Sequence, residues 1–97
     1  MELLDYEKDH LSRVREGLAE CMVLLRTDGA FPLEKAGTLA AFGNGVRYSV
    51  KGGSGSGDVN ARVVVGVEQG LVDAGFQLTS SAWLDAYDGR RAQARKD

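Results

Sequence analysis

Lys51-Gly52-Gly53-Ser54-Gly55-Ser56-Gly57-Asp58-Val59-Asn60 sets glycines, two hydroxyls, an amine and a carboxylate in one short stretch between two apolar segments. Gly52, Gly53, Gly55 and Gly57 carry no Cβ, so the backbone can take positive φ and bring bare N–H and C=O groups against a ligand or a second chain segment. Such a density of glycine costs folding entropy that a plain connection avoids. The same composition also suits a flexible Gly/Ser tether, so binding loop and linker both stand at this level.

Phosphate chemistry fits the loop poorly. Gly43-Asn44-Gly45 begins a dinucleotide fingerprint, but Tyr48 occupies the third glycine position and no helix opens there. Gly52 and Gly57 have the spacing of a phosphate loop, yet Asp58 and Val59 stand where Lys and Ser or Thr are needed, and a carboxylate repels phosphate. Lys51 and Arg47 supply a little positive charge, which Asp58 opposes. Asp58 is the one acid inside the loop, and a helix N-cap explains it more simply than acid/base catalysis. His10 has no companion at metal-ligand spacing beyond Asp9, and its pattern is that of a surface residue. Trp83 and Tyr87 lie one helical turn apart, a spacing that more often means core packing than a sugar platform. Arg90, Arg91, Arg95 and Lys96 suit a helix C-terminus electrostatically.

Composition narrows the field further. The chain has 97 residues, a formal charge of -2 and interspersed acidic and basic side chains, so one small domain is expected and no global field draws it to nucleic acid or anionic lipid. Cys21 has no second cysteine to pair with, which excludes an intrachain disulfide and a cysteine-based zinc site and fits a reducing cytoplasm. No cofactor is implied. The acidic start Met1-Glu2-Leu3-Leu4-Asp5 lacks a basic and apolar leader, and no run approaches a membrane span; neither secretion nor insertion is expected.

The positioning elements follow from periodicity. Leu11, Val14, Leu18, Cys21 and Leu25 recur at steps of three and four, which predicts a helix with one buried face, capped by Asp9 and stopped at Asp28-Gly29. Leu39-Ala40-Ala41-Phe42 reads as a buried parallel strand ended by Gly43-Asn44-Gly45. Val46 to Val50 alternates weakly and is read as a second short strand or an extended arm. Beyond the glycine loop, Asp58 or Asn60 is expected to cap a helix carrying Val63 or Val64, Val67, Leu71 and Ala74, closed by Gly75. Phe76 to Thr79 reads as a strand, and Ser80 or Ser81 as the cap of a last helix bearing Trp83, Leu84 and Tyr87. Helix, strand, loop, helix, strand, helix is the order of an α/β unit with a parallel sheet. A sheet this small is incomplete, which predicts either a fragment or a chain that finishes its sheet with a partner or a second copy of itself.

Three segments together resemble one family. Cys21-Met22-Val23-Leu24-Leu25-Arg26-Thr27-Asp28-Gly29-Ala30-Phe31-Pro32-Leu33, then Leu39-Ala40-Ala41-Phe42-Gly43-Asn44-Gly45, then Lys51 to Asn60, in this order and spacing, are similar to the α/β sandwich domain of glycoside hydrolase family 3. The similarity extends over roughly residues 10 to 90, including Glu68 to Phe76. It implies a three-layer αβα sandwich, here partial over residues 1–97, in the β-glucosidase-like subgroup whose sandwich precedes the catalytic (β/α)8 barrel.

The resemblance implies a retaining glycosidase acting on terminal sugars through two carboxylates roughly 5 to 5.5 Å apart. The family's nucleophile and Lys-His substrate pair lie on the barrel, and this chain contains neither motif; its acid/base glutamate has no assignable counterpart here. What carries over is the loop Lys51, Gly52, Gly53, Ser54, Gly55, Ser56, Gly57 and Asp58, expected near the active-site mouth at the carboxyl ends of the sandwich strands. The expected partners are a carbohydrate and the missing barrel. By itself the chain is expected to be inactive. The alternative, from another class, is a non-catalytic module that docks a separate barrel or self-associates through its open sheet.

Overall fold

The computed structural model describes residues 2–97 and divides into two compact units, Met1–Leu33 and Glu34–Asp97. In the first, α1 spans Asp5–Gly17. It starts earlier than the sequence predicts because the Leu4 N–H donates to the Glu7 carboxylate at 2.8 Å, while the Leu4 carbonyl accepts from the Glu7 and Lys8 amides. That arrangement satisfies amides a helix start would otherwise leave open. Asp9, expected as the cap, instead lies inside the helix and pairs with Arg13 one turn on at 2.9 Å. The helix also ends sooner: Leu18–Cys21 tightens into a 3-10 turn and Met22 is extended. Met22-Val23-Leu24-Leu25 is apolar at every position, without the period that selects one helical face. The predicted buried face is likewise open, with Leu11, Val14 and Leu18 about half exposed, Leu25 91% exposed and Cys21 exposed. The predicted break at Asp28-Gly29 is a turn, with Gly29 at φ 98° and side chains of Thr27 and Asp28 accepting the Gly29 and Ala30 amides.

The second unit holds the sheet. β1 (Thr38–Leu39) and β2 (Gln77–Leu78) pair in parallel, with Thr38 opposite Gln77 and Leu39 opposite Leu78. The Gln77 and Thr79 amides donate to the Gly37 and Leu39 carbonyls, each at 2.9 Å. Beyond the ladder, Ser80 Oγ accepts the Ala41 amide at 2.9 Å and donates to the Ala41 carbonyl at 2.7 Å. Both strands are present but short: of the predicted buried strand Leu39–Phe42 only Leu39 lies in β1, where it is half-buried because few elements cover it, and Gly43 at φ 106° turns the chain away. Val46 to Val50 is not a strand: Asn44–Val46 forms a 3-10 turn and the Tyr48 amide donates to the Asn44 carbonyl.

α2 spans Val67–Asp73, well after the expected start, and neither Asp58 nor Asn60 caps it. Its end follows the sequence: Gly75 at φ 94° donates to the Val72 carbonyl and the Phe76 amide reaches back to Leu71, a Schellman stop that glycine at this position permits. α3 runs Ser81–Ala94 from Ser80, whose carbonyl accepts the Leu84 amide while its hydroxyl serves Ala41 rather than the helix. Among the described residues, Val46, Ser80 and Leu84 are the buried ones. Phe42, Trp83 and the valines at 63–65 remain exposed, since the elements present do not cover them. The result is a helix-rich α/β unit around a two-stranded parallel sheet, and no helix among the described residues is long and apolar enough to cross a membrane.

Candidate functional site

The loop between β1 and α2 brings its polar groups to solvent. Lys51 through Asn60 are all exposed. Ser54 is extended, Gly55–Gly57 forms a single 3-10 turn, and the Asp58 amide closes it on the Gly55 carbonyl at 3.0 Å. Two of the four glycines are required by this geometry. Gly55 sits at φ 71°, and a Cβ on Gly52 would stand 2.9 Å from the Gly57 carbonyl oxygen. Gly53 and Gly57 have open space and ordinary φ. The predicted loop residues are therefore gathered on one exposed segment that folds back on itself between Gly52 and Gly57. Asp58 ends the 3-10 turn at φ -88° and ψ 85°, so its N-cap role is overturned: no helix begins there.

The ends of the loop are held tightly. Ser49 Oγ accepts the Val67 amide at 3.2 Å and donates to the Gly45 carbonyl at 2.7 Å, so the residue entering the loop caps the helix that leaves it. Gly66 passes close beside, where a Cβ would lie 3.3 Å from the Arg47 carbonyl. The Arg47 guanidinium reaches two helices. Its Nε and Nη2 donate to the two Glu68 carboxylate oxygens at 2.8 and 3.2 Å, and Nη1 donates to Asp85 at 2.7 Å and Asp88 at 3.0 Å. This forked geometry is one that guanidinium provides and ammonium does not. The hydrogen bonds Arg47 donates to Glu68, then to Asp88 and Asp85, hold it charged well above the ordinary arginine range. Tyr48 OH donates weakly to the same Asp88 oxygen at 3.4 Å, while Arg91 lies over the Tyr48 ring at 5.5 Å and hydrogen-bonds Asn44.

A groove of about 380 Å³ borders this base, lined by Val46, Val64 and Val72 on its apolar side and by Arg47, Glu68 and Gln69 on its polar side. Trp83 and Tyr87 stack on one another at 5.3 Å and 9°, with Phe42 edge-on to Trp83 at 5.2 Å. Trp83 is 43% exposed, so the pair is a surface cluster rather than the core that its spacing suggests. His10 is exposed on α1 beside the Tyr6 ring. Among the described residues no cluster of three or more His, Cys, Asp or Glu is arranged to hold a metal. Arg47 is the residue that the sequence did not single out in a structural role. Its partners are 21, 38 and 41 residues away, and no local pattern joins them.

With this geometry in view, the chain is 38% identical over 80 residues to a beta-glucosidase of Ruminococcus albus, covering 81% of this chain and 8% of that protein. It is 41% identical over 63 residues to beta-glucosidase A of Butyrivibrio fibrisolvens, covering 64% of this chain and 8% of that protein. The chain thus spans about 8% of the length of these curated relatives. No family model matches it, and no solved structure does.

Proposed function

We propose that this chain is part of a retaining glycoside hydrolase of the β-glucosidase type, a partial α/β sandwich of glycoside hydrolase family 3 whose Lys51 to Asp58 loop forms one side of the sugar site. The observation that carries this is the 38% identity to the Ruminococcus albus beta-glucosidase across 81% of the chain. The parallel pairing of β1 with β2 through α2 supports a three-layer sandwich, since such sheets call for cover on both faces. The loop leaves from the carboxyl side of β1 and returns into α2, which is where open α/β sheets hold ligands. Exposed Ser54 and Ser56 hydroxyls and loop amides are suited to sugar oxygens, while the two catalytic carboxylates and most substrate contacts belong to the rest of the enzyme.

The test is hydrolysis of p-nitrophenyl β-glucoside by two proteins: the 97-residue chain, and the Ruminococcus albus enzyme with its matched stretch replaced by this chain. Activity in the chimera and none in the isolated chain is the expected result. A chimera that unfolds cooperatively yet hydrolyses nothing overturns the proposal in favour of a non-catalytic module.

A further inference from the structure

We infer that Arg47 is a positioning residue for the glycine loop: its guanidinium clamps the loop's entry to both α2 and α3 and so fixes the path along which residues 50–65 are presented. Three observations converge. First, every branch of the guanidinium is engaged, with Glu68 on α2 held through two nitrogens and Asp85 and Asp88 on α3 sharing the third. One side chain therefore sets the spacing of two helices relative to the chain that enters the loop. Second, the neighbours of Arg47 are fixed by independent contacts: Val46 is buried, Tyr48 reaches Asp88 and Arg91, and Ser49 caps Val67. The entry segment cannot shift without breaking all of these. Third, the exit is tied to the same point, because Gly66 lies against the Arg47 carbonyl and Ser49 Oγ.

Removing the guanidinium leaves Glu68, Asp85 and Asp88 facing one another with no shared cation, which drives the two helices and the loop entry apart. A lysine at this site keeps the positive charge but presents one ammonium to acceptors spread over two helices. Charge alone and positioning therefore make different predictions for the conservative variant. What the loop is held for rests on the proposed function; the clamp itself does not.

The test is amide hydrogen exchange of the full 97-residue chain, comparing the parent with Arg47→Met and Arg47→Lys. The informative amides are Tyr48, Asp58 and Val67, with Thr79 in the sheet ladder as the internal reference. In both variants, exchange at the three loop amides is expected to rise about tenfold relative to Thr79, as for a local opening below the global one. Exchange that rises equally at all four sites, or an Arg47→Lys protein indistinguishable from the parent, overturns the inference. If Arg47→Met does not fold, Arg47→Lys alone decides it. No sugar enters this experiment, so its failure refutes the clamp, whereas an inactive, folded chimera refutes the function.

Discussion

Ser49 hands its hydroxyl to Val67: across 18 residues of sequence, the side chain at the loop's entrance satisfies the first amide of the helix at its exit. Ordinarily the residue just before a helix does this. Here that residue is Gly66, which has no side chain to offer, and Gly66 in turn leaves the space that Ser49 occupies.

Ser49→Ala should therefore destabilise the chain by about 1 kcal/mol, the usual cost of losing a cap, and shorten α2 at its start. Urea denaturation followed by circular dichroism measures it, and an unchanged midpoint would show that the Val67 amide needs no cap.

The loop glycines divide into two classes. Gly52→Ala must push against the Gly57 carbonyl and Gly55→Ala must hold a positive φ, so each should cost about 1 kcal/mol or more. Gly53→Ala meets neither obstacle and should be neutral or stabilising by about 0.5 kcal/mol. Equal melting temperatures for all three would reduce the stretch to a tether.

Much of the loop and of the sheet was legible because the deciding residues are neighbours in sequence. The Gly75 amide bonds Val72 and the Phe76 amide bonds Leu71, all within one turn, and the segments 39–42 and 76–79 mark where strands lie, although only Leu39 of the first and Gln77–Leu78 of the second are strand. The start of α2 was not legible for the opposite reason. Asp58 has the chemistry of a cap, but Val63-Val64-Val65 is β-branched and stays out of the helix, and the true cap comes from the far end of the loop. Of the apolar stripe predicted for the first helix, Leu11 and Val14 lie on α1, Leu18 and Cys21 on the 3-10 turn after it, and Leu25 beyond both. Its burial was not legible either, because burial depends on what lies opposite.

Ser80→Ala should cost about 1 to 3 kcal/mol despite sitting at a helix start, since it strands the Ala41 amide and carbonyl rather than a helix amide. The distinguishing measurement is nuclear magnetic resonance of the Ala41 amide: its shift should move strongly while the α3 first-turn amides stay in place.

Leu84 is 1% exposed in a unit with few buried side chains. Leu84→Ala should cost about 2 to 5 kcal/mol, comparable to the whole stability of so small a fold, and abolish cooperative unfolding. Retained cooperativity with a small shift would locate the core elsewhere.

The charge on Arg47 sets a pH prediction. Its ionisation is raised in the folded chain, so its contribution is complete below the ordinary arginine range and is lost only as pH climbs through the still higher folded value. The melting-temperature difference between the parent and Arg47→Met should accordingly stay constant between about pH 7 and 10. A difference that shrinks across that interval would mean that the carboxylates are answering to another cation.

The stitch between Ala41 and Ser80 joins residues 39 apart, and the parallel pairing it extends has the same reach. During synthesis, α1 has its own turns in hand as soon as it is made, but β1 must wait for everything through Ser80 before it has anything to pair with. Until then Leu39, Ala40 and Ala41 stand as an unanswered edge beside a glycine segment whose freedom raises the cost of bringing the two strands together. Closure of this sheet is therefore expected to be the slow step in assembling the Glu34–Asp97 unit, with the loop taking its final shape after it.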